Sequence, residues 1–215
     1  MPVPIGTRPG PVGRGLVRSF ARPGGNVTGV SDFRLEMAPK RLEIFRELVP
    51  GLRRVLFLYN AGDSVAMSQL DANRDAARQL RITLVERPVR TQEEARAALA
   101  GLRKGEVDGI LSLPSVALNI HGFILETAAQ RAIPTMFFDP FDVERGGLAS
   151  YSANYYQVGR QAARLVDKII KGAKPADIPV EQPTRFELVI NLKTAKSLGL
   201  TIPPTLLLRV DRLIE

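Results

Sequence analysis

From residue 55 onward, short apolar runs alternate with longer stretches in which apolar residues recur every three or four positions. The runs at 55–59, 82–86, 109–113, 134–138 and 148–152 predict five strands. Between them, 64–80 carries Ala66, Leu70, Ala77 and Leu80 on one helical face. The stretch from Thr91 carries Ala95, Ala98, Leu99 and Leu102, and 118–131 predicts a further helix. Thr91 and Glu94 have the spacing of a capping box: the hydroxyl accepts from the first turn and the carboxylate reaches back. The first four strands begin 27, 27 and 25 residues apart, the pitch of βαβ units. That pattern predicts an α/β fold with a doubly wound parallel sheet. A helix at 36–49, with Ala38, Leu42, Phe45, Leu48 and Val49, is expected to cover one face.

The flanks read differently. Residues 155–171 form the most amphipathic stretch, with Val158, Ala162, Leu165, Val166, Ile169 and Ile170 on one stripe and Gly172 as its stop. Pro175, Pro179 and Pro183 mark an extended linker. A sixth strand is expected at 186–190, a short helix at 194–198, and a last helix from Pro203-Pro204 to 214. The first thirty residues are too rich in Pro and Gly for a long regular element, though one short helix fits at 12–21. They hold no continuous apolar run of the kind a signal peptide needs. The expected organisation is therefore residues 1–30 as an N-terminal arm, 31–153 as an α/β lobe, and 154–215 as a C-terminal helix, linker, strand and terminal helices.

Composition narrows the chemistry. The 215 residues include no Cys and one His, which excludes disulfides, zinc-thiolate and iron–sulfur sites, a cysteine nucleophile and a multi-histidine metal centre within one chain. The net charge of +8 divides as +3 over residues 1–32, +1 over 33–154 and +4 over 155–215. Basic residues stand singly rather than in a stripe interleaved with aromatics, so no nucleic-acid partner is expected. No G-x-S-x-G, Walker A or H-E-x-x-H motif is present, and the glycines at 10, 13 and 15 lack dinucleotide spacing. The pattern suggests binding without catalysis, and neither a cofactor nor a metal is expected.

An open parallel sheet binds ligands beyond the carboxyl ends of its strands, where the strand order reverses. In the order 2-1-3-4-5 that point lies between the first and third strands, beside the loops Asn60-Ala61-Gly62-Asp63-Ser64 and Pro114-Ser115-Val116. The first loop ends on a helix N-terminus, whose free N–H groups favour a carboxylate. Asp63 and Ser64 can equally serve only as helix caps. Asp139 follows the fourth strand within Phe137-Phe138-Asp139-Pro140-Phe141, where it reads either as a partner for an amine or hydroxyl beside apolar walls or as a turn residue before Pro. Asn154 holds the same position after the fifth strand. His121 reads as an ordinary imidazole on a helix face.

Several stretches together resemble one family. They are Val12-Gly-Arg-Gly-Leu-Val-Arg-Ser-Phe-Ala-Arg-Pro-Gly-Gly-Asn-Val-Thr-Gly29, Lys40-Arg-Leu-Glu43, Arg145-Gly-Gly-Leu148, Tyr155-Tyr-Gln-Val-Gly159 and Gly172-Ala-Lys-Pro-Ala-Asp-Ile-Pro-Val-Glu181. The last leads into Phe186-Glu-Leu-Val-Ile-Asn-Leu-Lys-Thr-Ala-Lys-Ser-Leu-Gly199. The sequence resembles periplasmic substrate-binding proteins of ABC-type importers with the type I binding-protein fold, in a branch that includes binders of aromatic amino acids. The resemblance implies a two-lobed clamp on a small molecule, with residues ~31–153 as the second lobe. It implies ligand contacts at Asn60, Ser64, Ser115, Asp139 and Asn154, permease subunits as partners, and a periplasmic location. Val116 stands where the family often has an acidic or amide residue. Family members carry a signal peptide and several first-lobe strand–helix units ahead of the Pro-Val-Gly motif, where this chain has about ten residues. A cytoplasmic location follows if the chain is natural as given. Weak ligand binding by this chain is expected, as is a homodimer through residues 155–215 and the N-terminal arm. The alternatives are a cytosolic effector-binding domain related to transcriptional regulators and a small α/β enzyme.

Overall fold

The computed structural model describes residues 10–13, 15–31, 37–112 and 119–215. They fall into two compact units. One consists of the described residues of 35–152 together with Glu187–Glu215. The other consists of Ala153–Phe186 with the described residues of 1–34.

Along the chain the strands are β1 (Arg54–Asn60), β2 (Thr83–Val89), β3 (Gly109–Leu111), β4 (Thr135–Phe137), β5 (Ala149–Ala153), β6 (Phe186–Asn191) and β7 (Arg212–Ile214). The helices are α1 (Ala38–Leu48), α2 (Ser64–Gln79), α3 (Gln92–Ala100), α4 (His121–Arg131), α5 (Pro140–Glu144), α6 (Tyr155–Ile170), α7 (Leu192–Ser197) and α8 (Pro204–Leu207). The sheet runs in the order β2-β1-β3-β4-β5-β6-β7. β1 pairs parallel with both β2 and β3, β3 with β4, β4 with β5, and β6 with β7. The chain leaves β1 toward β2 and then returns past it to β3. The reversal expected from the sequence therefore lies between β1 and β3.

Side chains alternate across this sheet, which explains why β1 is apolar throughout. Val55 and Phe57 face one core with Leu42, Phe45 and Leu48 of α1 and Leu70 and Ala77 of α2. Leu56 and Leu58 face the other with Ala95 and Leu99 of α3 and Ile124 and Ala128 of α4. A parallel strand covered by helices on both faces has no solvent side on which to place polar residues.

Several elements depart from expectation. The last predicted helix, 204–214, is only the single turn α8. Asp211 accepts from the Leu188 backbone through its carboxylate (2.8 Å) and donates its own N–H to Leu188 O (3.0 Å). The chain then pairs as β7 along Val189–Asn191. Ladder bonds on a free sheet edge outweigh a short helix with little to pack on. The predicted helix at 12–21 is a set of turns: Pro11 O accepts from Leu16 and Val17, and Gly15 sits at φ +69°. Thr91 caps α3 as expected (Glu94 N–H to Oγ1, 3.1 Å), but Glu94 reaches back to the N–H of Arg90 rather than Thr91. Residues 187–215, grouped by sequence with the C-terminal helix and linker, belong to the sheet unit, because β6 joins it through Asn191 N–H to Leu148 O (2.9 Å).

The other unit is laced by backbone bonds between the N-terminal arm and the Pro-rich run. Val30 bridges Glu181 in parallel, Val180 N–H donates to Phe20 O, and Gly24 N–H donates to Ala176 O. The Thr28 hydroxyl donates to Ile178 O at 2.8 Å. From α6, Gln161 donates to Glu181 Oε2 and Gln182 O, and Arg164 pairs with Glu181 at 2.6 Å. Val17, Ala153, Leu165, Ile178 and Val180 are among its buried apolar residues.

Candidate functional site

The carboxyl edge of β1 is shaped by two side chains. Asn60 Oδ1 accepts from Gly62 N–H at 2.9 Å, which folds the chain back after the strand. Asp63 Oδ1 accepts from Val65 N–H at 2.8 Å and is the N-cap of α2. Ser64 is therefore the first helical residue and not the cap; its hydroxyl has no part in that bond. One capping carboxylate satisfies one of the first-turn N–H groups of a 16-residue helix and leaves others for a ligand anion. At the carboxyl edge of β4, Asp139 Oδ1 accepts from Phe141 N–H at 2.8 Å and caps α5, with Pro140 in its first turn. Only β3 separates β1 from β4. Strand spacing places the two ends roughly 10 Å apart, the span of an amino acid.

The same edge carries a pair of polar side chains that the sequence did not bring together. His121, the first residue of α4, places Nδ1 2.6 Å from Oδ2 of Asp142 on α5. The imidazole meets Phe138 edge-on at 5.3 Å between centroids and lies 6.2 Å from Phe137. Asp142 is buried. The two glycines of Arg145-Gly-Gly-Leu148 are explained here. Gly146 turns at φ +111°, and a Cβ on Gly147 would lie 2.6 Å from the Phe137 ring and 2.9 Å from Asp142 O. The hydroxyls of Ser112, Ser150 and Ser152 are buried without a partner among the described residues.

Among the sequence-selected residues, Asn60, Ser64 and Asp139 share the carboxyl edge of the sheet unit. Each of the two with a side-chain bond spends one oxygen on a turn or cap, so the plain structural role foreseen for Asp139 is real and leaves its second oxygen for another partner. Ser115 lies outside the described residues. Asn154 directly follows β5 and caps α6 through Oδ1 to Gln157 N–H (3.0 Å); it belongs to the other compact unit. His121 was read from the sequence as an ordinary helix-face imidazole, and its partner Asp142 was not foreseen because α5 is a five-residue helix. No periodicity marks Asp142 as buried; the one signal was its place directly after the aromatic run Phe137–Phe141.

The opposite, amino edge of the sheet has its own features. Asp108 Oδ2 accepts from the backbone N–H groups of Arg53 and Arg54, and Oδ1 accepts from the Arg54 guanidinium at 2.7 Å. That side-chain bond, more than any other contact, holds the Asp108 carboxyl below the usual carboxylate range. A cavity of about 590 Å³ opens there, with Val49, Val107 and Pro134 on its wall and Lys104 and Arg131 among its polar groups. Arg131 is already committed to Ala100 O and Leu102 O. None of the selected residues lines this cavity. Among the described residues no group of three or more His, Asp and Glu is placed to hold a metal ion.

Comparison with known proteins is consistent across sequence and structure. The family model of ABC transporter substrate binding proteins matches residues 1–214. A tyrosine-binding protein of Clostridioides difficile is 30% identical over 192 residues, covering 88% of this chain and 54% of that protein. A conserved domain protein from Vibrio cholerae superposes with a TM-score of 0.82 at 33% identity, covering 94% of this chain and 68% of that one. An ABC domain from Streptococcus pneumonia in complex with L-Trp gives 0.82 at 30% identity, covering 95% and 68%. The chain thus spans about half the length of its curated relative and about two thirds of these solved ones.

Proposed function

The chain belongs to the family of ABC transporter substrate binding proteins, and on that premise we propose that it is the solute-binding part of an importer whose ligand is an aromatic amino acid or a related carboxylate. The observation that carries this reading is the meeting of Asn60, the start of α2 and Asp139 at one edge of the sheet, beside the β1/β3 reversal. The ligand carboxylate docks on the open N–H groups of α2 near Ser64, its ammonium faces the second oxygen of Asp139, and Asn60 supplies amide hydrogen bonds. Phe138 and the exposed Phe141 offer apolar surface to the side chain. Ser115 is assigned to the same ligand on the strength of the family motif. The tyrosine named for the Clostridioides relative and the L-Trp bound by the Streptococcus domain support the ligand class.

The activity is binding and release, with no bond broken. The partners are the membrane permease subunits of the importer, and the site of action is the periplasmic side. Among the described residues no helix is long and apolar enough to cross a membrane. A clamp draws much of its affinity from a second surface closing over the ligand.

The chain contains no Trp, so fluorescence anisotropy of free L-tryptophan excited at 295 nm reports binding without background. A saturable rise on titration with protein, weakened about tenfold or more by Asp139→Ala, is the expected result. No rise at millimolar protein would overturn the assignment of the ligand class.

A further inference from the structure

We propose that His121 is a specificity-determining residue that reads a hydrogen-bond donor on the ligand's aromatic ring, so that the site distinguishes amino acids whose rings carry an N–H or O–H from those whose rings carry none. This rests on the aromatic amino acid reading above.

The argument begins with Asp142. It lies on α5 with its side chain 3% exposed, and its Oδ2 is 2.6 Å from His121 Nδ1. A carboxylate only accepts, so Nδ1 carries the proton. With Nδ1–H committed, the neutral ring has one remaining lone pair, on Nε2, and its tautomer is set by its neighbour. Among the described residues Nε2 has no hydrogen-bond partner. The ring itself is held: Phe138 packs against it edge-on and Phe137 lies beside it. No other charge competes for the imidazole among the contacts of the elements around it. On α5, Glu144 pairs with Arg212, Asp139 caps its own helix and Arg145 sits over Phe141. On β4 and directly after it the neighbours are the rings of Phe137 and Phe138. On α4, Glu126 accepts from Gln130 and Arg131 is bound to carbonyls of the α3 terminus.

The location is the second half of the argument. His121 opens α4 and Asp142 follows β4, so both stand at the carboxyl edge that carries Asn60, Ser64 and Asp139. The side chain is 18% exposed, buried enough to give the hydrogen bond direction and open enough to be reached. An oriented acceptor among aromatic rings matches an indole N–H or a phenol O–H. A benzyl side chain entering the same place would leave Nε2 desolvated and unpaired, which is how such sites reject analogues lacking the polar group.

The single imidazole makes the test clean. A long-range ¹H–¹⁵N spectrum of the ligand-free protein should show Nδ1 protonated and Nε2 unprotonated; a doubly protonated ring, whose Nε2–H can only donate, would overturn the role. On titration with millimolar L-tryptophan, the Nε2 resonance should move toward the hydrogen-bonded range, and it should stay in place with L-phenylalanine. In anisotropy competition, L-phenylalanine should displace L-tryptophan roughly tenfold less well than L-tryptophan displaces itself, and His121→Leu should reduce that preference to below about threefold. If the Asn60 and Asp139 backbone resonances respond to L-tryptophan while Nε2 does not, the site stands and the role of His121 is overturned. If nothing in the spectrum responds, both the binding reading and this inference fall. Should His121→Leu fail to fold, the wild-type Nε2 titration decides alone.

Discussion

Helices α2 and α6 are the same length, 16 residues each, and differ in what their own chain does with them. α2 buries Ala66, Gln69, Leu70, Asn73, Ala76 and Ala77. α6 has the sharper division into apolar and polar faces, yet buries only Gln161 and Leu165. Of its predicted stripe, Val158 and Ala162 are half-buried, while Val166 is 53% and Ile170 79% exposed. Amphipathic spacing thus tells which face wants cover and not whether these 215 residues supply it. In α2 the cover is the sheet, which local strand–helix alternation brings back after every turn. In α6 the stripe needs a partner of another kind.

Leu70→Ala is the strongest way to expose that contrast. Leu70 is fully buried, and its truncation should lower unfolding free energy by about 2–5 kcal/mol in urea titrations. Ile170→Ala, read at protein concentrations low enough to keep the chain monomeric, should stay within about 0.5 kcal/mol of wild type; equal losses there would mean that α6 is packed within its own chain as α2 is. Next in size is Gly109→Ala. Its Cβ would stand 2.6 Å from the Phe45 ring and 2.7 Å from Leu52, inside a core with no room to yield. A loss of about 1–3 kcal/mol is expected, and an unchanged midpoint would show that the α1 side of the sheet is looser than its packing implies.

Asp108→Ala should cost about 1–2 kcal/mol at neutral pH, because two backbone N–H groups and Arg54 lose their acceptor. The Asp108 carboxyl is held below its ordinary range in the fold. Its contribution is therefore complete above the unfolded carboxylate range and disappears as pH falls through the lowered folded value. Wild type and variant should converge in acid; a gap constant from pH 7 to 2 would assign the effect to packing instead. The smallest change in stability is expected from charging the α6 face. We propose that the stripe is covered by a second copy, giving a homodimer through residues 155–215 and the N-terminal arm. Sedimentation at micromolar concentration should show a dimer, and Val166→Glu with Ile170→Glu should yield a monomer of nearly unchanged stability. Leu165, being buried within its own unit, is the wrong place for that charge. A wild-type monomer would refute the dimer.

Much of the sheet was legible because a buried parallel strand is an uninterrupted apolar run and its crossover helix has a repeating face. Val55–Leu58 and the face of α2 needed only those two rules. The last helix was misread because Pro203-Pro204 signals a helix start equally well whether the helix runs one turn or three, and the β6 edge that captures Arg212–Ile214 is a long-range fact. The site was partly legible. Asn60, Asp63 and Asp139 follow strand ends, where turns and caps demand such side chains whether or not a ligand comes. His121 carried no local mark of its partner 21 residues away.

The sequence by itself determined the parallel α/β architecture, the point where its strand order reverses, the absence of cysteine chemistry, and the family motifs, since each depends on residue spacing along the chain. Only the tertiary structure decided that the final segment is an edge strand, that Asp63 rather than Ser64 caps α2, that Gly147 is required by the Phe137 ring, and that His121 is oriented by Asp142. Those depend on which distant groups compete for the same hydrogen bonds and the same space, and that competition takes place only once the sheet has brought them together.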